Sequence, residues 1–255
     1  MPSAIRHDRE FKDQGLVTIL VESQGNDERT LAAFLWKTFP DNGAFTCTGV
    51  GLPIPPSRGI PHAAVIGVDG TILWAGNPNA GSKRIDELIA QELEKVKKGW
   101  GDTAESKKVR ALLYGKHDFA GAMALVEALN DGDERAMLQK EVEVRRDSAT
   151  KAIAELKRQG RYVRAHERAE QLVKSCEKRA DWLAAAKQEL AAFDSDEAKA
   201  LLALDKKIEK VEKQLRDKKD ENAQKGIAAL LKGATESAVA ARARALLDAL
   251  KTKVE

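Results

Sequence analysis

Proline is missing from most of this chain. All seven prolines (2, 40, 53, 55, 56, 61 and 78) fall within the first 78 of 255 residues. Long apolar runs are missing as well. No stretch of 18 apolar residues exists, so nothing predicts a membrane span. Two cysteines, Cys47 and Cys176, exclude a disulfide framework. The charges nearly cancel, 43 basic against 40 acidic, and a net charge of +3 does not demand a nucleic-acid partner. No basic start leads into an apolar stretch, so no secretory signal is visible and the cytoplasm is the default expectation. No Ser-centred nucleophile motif or HExxH is present. Gly49-Val50-Gly51 and Gly67–Gly70 lack the strand–glycine–helix setting of a phosphate loop. What is present, 43% hydrophobic residues, supports a packed core.

The proline boundary coincides with a shift in charge. Residues 1–100 hold 11 basic and 12 acidic side chains, and residues 101–255 hold 32 and 28. Eleven of 18 glycines lie before residue 100. This predicts a turn-rich mixed domain over 1–100 and an all-α region over 101–255, joined near Gly99-Trp100-Gly101-Asp102.

In the first domain Leu16–Glu22 (LVTILVE) reads as a buried strand. Apolar residues at 31, 34, 35 and 39 predict a helix over 27–39, closed by Pro40. Phe45–Val50 has strand character, and Gly51–Arg58 is a loop. Ala63–Val68 and Thr71–Ala75 flank Asp69-Gly70, a two-residue hairpin signal. A helix then runs from Gly81-Ser82 to about Lys98 on apolar positions 85, 88, 89, 93 and 96.

The stretch Gly59-Ile60-Pro61-His62-Ala63-Ala64-Val65-Ile66-Gly67-Val68-Asp69-Gly70-Thr71-Ile72-Leu73-Trp74-Ala75-Gly76, in that order of elements, resembles the C-terminal two thirds of a thioredoxin-like domain. The nearest branch is the redoxin and TlpA-like thiol–disulfide oxidoreductases. The resemblance implies that Ile60-Pro61 occupies the cis-proline position, where a sharp turn is cheap only before proline. It also implies that Ile60, Pro61 and His62 present the chain to a bound thiol or disulfide of a partner protein. Gly67 stands where the family usually has Asp.

A family member carries a first strand and a Cys-x-x-Cys at a helix N-terminus, whose amides favour the thiolate. That thiolate attacks a partner disulfide, and the second cysteine resolves the mixed disulfide. This sequence has neither the motif nor its strand. Met1–Leu16 is similar to the remainder of the catalytic helix, with Ile5, Asp8 and Phe11 compatible with one face. The expectation is therefore a thioredoxin-like α/β domain incomplete at its N-terminus, lacking roughly 25–40 residues. A late start codon, or a UGA for selenocysteine read as a stop, would produce it. The sheet should then show a gap or an open edge. No residue of this chain is expected to be catalytic.

Other candidates read as ordinary structure. Cys47 lacks a partner at +3, and Cys176 sits in a helical stretch. His62 borders the expected groove. His7, His117 and His166 have no metal-ligand spacing, so no metal or cofactor is expected. Trp36 and Trp74 suit core or groove lining.

The helical region predicts helices over 103–113, 117–130, 134–158, 162–177, 179–193, 196–222 and 236–253, with Asn130–Asp133, Gln159-Gly160, Asp194–Asp196 and Gly233–Thr235 as breaks. Phe119–Ala122 with Leu129 parallels Tyr162–Ala165 with Leu172, similar to the packing of tetratricopeptide-type hairpins, though the 43-residue offset does not fit that 34-residue repeat. Leu201, Leu204, Ile208, Val211 and Leu215 form a short seam suited to a helix pair within the chain. The charges of Asp205–Glu221 read as a solvated face. Only five aromatics lie beyond residue 100, too few to interleave with basic residues for nucleic acid. Two functions remain: a thiol–disulfide oxidoreductase or antioxidant protein by resemblance, or a redox-silent scaffold whose helical half binds protein partners.

Overall fold

The structure is a computed structural model that describes residues 2–21, 26, 30, 31, 34, 45–47, 61–216, 220–232 and 236–251. The chain divides into two compact units, Met1–Ile19 with Gly49–Glu143 and Leu20–Thr48 with Val144–Glu255. The expected joint at 99–102 lies inside the first unit. The described chain is mostly helical, with short strands before residue 77 and helices alone after it.

Helix α1 (Pro2–Phe11) buries Ile5, His7 and Asp8 and ends in a 3-10 turn, Lys12–Gln14. The expected strand over 16–22 is shorter, β1 (Ile19–Val21), and it is not fully buried. Val17 is 65% and Ile19 57% exposed. A β-branched run is buried on both faces only inside a covered sheet, and β1 pairs with β2 (Phe45–Cys47) in a sheet of two. Of the helix expected over 27–39, Thr30, Leu31 and Phe34 are helical, and the rest, Trp36 included, lies outside the described residues.

Strands β3 (Ala63–Ile66) and β4 (Ile72–Gly76) form a second antiparallel pair, in register from Ala63 opposite Gly76 to Val65 opposite Trp74. Among the described residues no strand pairing joins the two sheets. The hairpin is where the sequence puts it, but its loop is not the two-residue kind. Gly67 N donates to Thr71 O at 2.8 Å, and Gly70 N donates to Gly67 O at 3.0 Å. Gly70 takes φ +84°. This is a three-residue loop in which a turn is followed by a left-handed glycine. Asp69 Oδ1 accepts from Thr71 N at 2.9 Å, which stabilises its carboxylate and lowers its pKa.

Helix α2 (Ser82–Lys98) buries Leu88, Ile89, Leu93 and Val96 at helical spacing and packs on β3. One polar residue shares that face. Glu92 is 9% exposed, and its Oε2 accepts from Val68 N in the hairpin loop at 2.9 Å. Lys95 Nζ closes the other oxygen at 2.5 Å.

Helix α3 (Ala104–Arg110) begins with a reciprocal capping box of Thr103 and Ser106 and passes into a π-helical turn, Ala111–Lys116, in place of the even helix expected over 103–113. Asp118 caps α4 (Phe119–Glu127), and the long α5 (Gly132–Arg158) follows. Arg110 donates to both oxygens of Glu141 on α5, Nε to Oε1 at 3.0 Å and Nη2 to Oε2 at 2.9 Å.

The second unit contains α6 (Tyr162–Ser175), α7 (Ala180–Ala191), α8 (Asp196–Arg216), α9 (Asp220–Leu231) and α10 (Ala238–Lys251). The single helix expected over 196–222 ends at Arg216, and α9 was not expected at all. Gly226 inside α9 costs about 1 kcal/mol of helix propensity relative to alanine, and burying Ala223 and Ile227 outweighs it. Ile208 and Val211 of the seam meet Ala223, Ile227, Val239, Ala243, Leu246 and Leu250, so the seam is used within the chain.

Candidate functional site

Pro61 is an exposed bend, and His62 is half-buried one residue before β3. Ile60, and with it the peptide bond before Pro61, lies outside the described residues. The two described members of the expected substrate-binding set thus stand together at the entry of the hairpin that α2 backs. Trp74, opposite Val65 on β4, is half-buried and lies against Gly76 and Gly81. His7 of α1 sits 2.6 Å from Asp86 of α2 through Nε2 and Oδ1, with Arg6 Nη2 3.3 Å from the same ring nitrogen. These contacts link α1 to α2, the helix that backs the hairpin.

Cys176 is 1% exposed at the end of α6, and its carbonyl accepts from Arg179 N, the N-cap of α7, at 3.0 Å. Cys47 lies in β2. Among the described residues no three His, Cys, Asp or Glu side chains gather as a metal site, and no helix is long and apolar enough to cross a membrane.

Sequence reasoning missed a buried charge network in the second unit. Asp205 of α8, read as part of a solvated face, is 0% exposed. Its Oδ2 accepts from Val163 N at 2.8 Å, capping α6 across 42 residues of sequence. Arg161 at the N-cap of α6 offers no side-chain cap of its own. The other Asp205 oxygen accepts from Arg242 Nη1 of α10 at 2.6 Å. Arg242 Nη1 also donates to Gly160 O at 3.0 Å, and its Nη2 donates to Glu212 Oε1 at 2.5 Å.

Burial works against the Arg242 charge, but Glu212 and Asp205 outweigh it and hold its pKa above the ordinary value. Burial, and then Arg242 beside it, push the Arg161 guanidinium down to about 10. Burial, and then the Asp205 carboxylate, raise Glu209. A signal was available in the sequence. Asp205 and Glu212 are one heptad apart, each next to a seam residue, and Arg242 interrupts an alanine-rich helix.

No protein-family model, no curated protein and no solved structure matches this chain.

Proposed function

We propose that residues 61–98 are the hairpin and final helix of a thioredoxin-like domain of the redoxin and TlpA-like kind. The protein is then an oxidoreductase-family or antioxidant protein that engages protein thiols or disulfides at Ile60, Pro61 and His62. The observation that carries this reading is the unit itself. An antiparallel hairpin starts two residues after Pro61, and the next helix packs on its first strand, tied to the loop by Glu92.

Because the sequence has no Cys-x-x-Cys, this polypeptide binds without exchanging disulfides. Two measurements on the full chain test it. An amide NMR titration with glutathione disulfide is expected to move His62, Ala63 and Ala64. Insulin reduction by dithiothreitol is expected to run no faster with the chain than without it. Unmoved amides at 62–64, or a rate enhancement that survives Cys47→Ser, overturn the reading.

The separate packed core of the helices beyond residue 144 favours a second reading. Here the thioredoxin-like part is redox-silent, and the helical half binds a protein partner. A purified partner complex of the full chain that persists in excess dithiothreitol and after His62→Ala supports this. Release by either treatment sides with the first reading.

A further inference from the structure

On α2 the lysines find counter-ions on their own helix. Lys95 lies 2.5 Å from Glu92, and Lys97 and Lys98 lie 3.2 and 3.5 Å from Glu94. Helix α8 distributes its charges differently. The carboxylates of its middle turns face inward: Asp205 and Glu212 are buried on Arg242, and Glu209 is half-buried beside them. Its lysines face outward, with Lys199, Lys206, Lys207, Lys210 and Lys213 all exposed.

At about 100° per residue these five lysines fall within an arc of about 120°, and Lys199 to Lys213 spans about 21 Å. The other side chains described in that arc are Ala203 and, in the first turn, Asp196. Among the described residues none of the five lysines is in an ion pair. Like charges three and four residues apart destabilise a helix. Lys206 with Lys210, Lys207 with Lys210, and Lys210 with Lys213 are such pairs. The carboxylate at the right spacing to relieve them is Glu209, three after Lys206 and four before Lys213. Its charged neighbours are instead those of the inner network, Asp205, Arg164, Glu212 and Arg242.

We propose that the outer face of α8 docks on an anionic phospholipid bilayer, held by charge and without insertion. Charge complementarity sets the sign of the occupant, and the composition of the face sets its kind. Protein–protein interfaces are depleted of lysine and centre on apolar, aromatic or arginine side chains. This arc has none of those among its described side chains, and nothing apolar larger than alanine. Single-stranded nucleic acid asks for aromatic platforms. Base edges and paired phosphate oxygens are read by guanidinium forks, and the cations here are all ammonium groups. An ammonium is a point charge that demands no fixed geometry. That suits lipid headgroups, which diffuse laterally to meet it. A helix lying on a flat surface brings the whole arc to one plane, where each lysine adds to the attraction. With no apolar group to enter the hydrocarbon, binding is reversible and screened by salt. A bilayer is the partner in neither functional reading above, so those readings stand or fall separately from it.

The test sediments the full chain with vesicles of equal parts phosphatidylserine and phosphatidylcholine. The chain is expected to bind at about 0.05 M salt, to be released at about 0.5 M, and to ignore vesicles of phosphatidylcholine alone. Lys206→Gln, Lys210→Gln and Lys213→Gln combined are expected to weaken binding roughly a hundredfold, since each lysine near such a surface is worth about a factor of five. Circular dichroism should be unchanged, because these exposed side chains lose only like-charge neighbours. Lys140→Gln, Lys151→Gln and Lys187→Gln combined remove the same charge from exposed positions on α5 and α7 and are expected to weaken binding about threefold at most.

No binding to the phosphatidylserine vesicles at low salt, equal binding to phosphatidylcholine, or equal losses in the two triple variants overturns the proposal. Displacement from the vesicles by random-sequence duplex DNA at equal phosphate concentration gives the face to nucleic acid. Displacement by polyglutamate at equal charge gives it to an acidic protein segment. Either displacement overturns the lipid assignment.

Discussion

The hairpin and helix over 63–98 and the helical unit beyond residue 144 solve the same problem at different ranges. Each must hold backbone groups that its own secondary structure leaves unpaired. In the hairpin the partners are near: Asp69 caps Thr71 two residues on, and Glu92 reaches Val68 across 24. In the helical unit they are distant. Asp205 caps α6 across 42 residues, and Arg242 reaches Gly160 across 82. A short-range solution is written in a few neighbouring residues, while a long-range one needs three helices packed before all of its groups have partners. The hairpin therefore tolerates the loss of one contact, and the charge network should fail as a unit.

The largest expected effect tests that contrast directly. Arg242→Met leaves Asp205 and Glu212 buried with no cation between them, and removing one member of such a group costs about 3–5 kcal/mol. Urea unfolding followed by circular dichroism measures it. Adding Asp205→Asn and Glu212→Gln to Arg242→Met should recover most of the loss, because the cost lies in the uncompensated charges. A triple variant no more stable than the single one would show that the network contributes through packing.

Two left-handed glycines give the next comparison. Gly70 has φ +84° with nothing within 4 Å of an added Cβ, and Gly160 has φ +70° with the carbonyl of Ala238 in the way. Asn at either position meets a similar backbone preference, about 1 kcal/mol. Only at Gly160 must the α5–α6 link also move off the start of α10. Gly70→Asn should leave the melting temperature within a few degrees, and Gly160→Asn should lower it well beyond that. Equal losses would remove the distinction between an open turn and a packed one.

Glu92→Leu should cost about 1–3 kcal/mol, the range for leaving a buried donor unsatisfied, since it takes the acceptor from Val68 N in the loop. This smaller figure is the hairpin's counterpart to Arg242→Met.

The same contrast explains what was legible in the sequence. The hairpin followed from Asp69-Gly70 between two apolar runs, and α2 from its apolar spacing, because both signals lie within a single element. Only the loop type was missed, since Gly67 and Thr71 extend the ladder beyond the dipeptide that marks the turn. Strand β1 was read as buried because composition reports β propensity and not how many neighbours a strand acquires. In the helical unit the seam at Leu201–Val211 was legible, but α9 was hidden by Gly226, and the network was hidden by charge. A lone Asp or Glu on a lysine-rich helix resembles a solvated residue until the partner helix brings its arginine.

Glu209 marks the weak edge of that network and gives the smallest effect. Its carboxyl pKa is raised, by burial first and by Asp205 second. A carboxyl that holds its proton more tightly when folded makes ionisation a cost to folding. That cost is fully present above the folded pKa, shrinks as pH falls through it, and is gone below the unfolded value of 4.5, where both states are neutral. Glu209→Gln keeps the shape without the charge. It should raise the urea midpoint slightly at pH 7, and the gain should fade as the pH approaches 4.5. A gain that is independent of pH would place its origin in side-chain packing. A loss at pH 7 would mean that the Glu209 charge is needed, with Arg164 and Arg242 as the cations that need it.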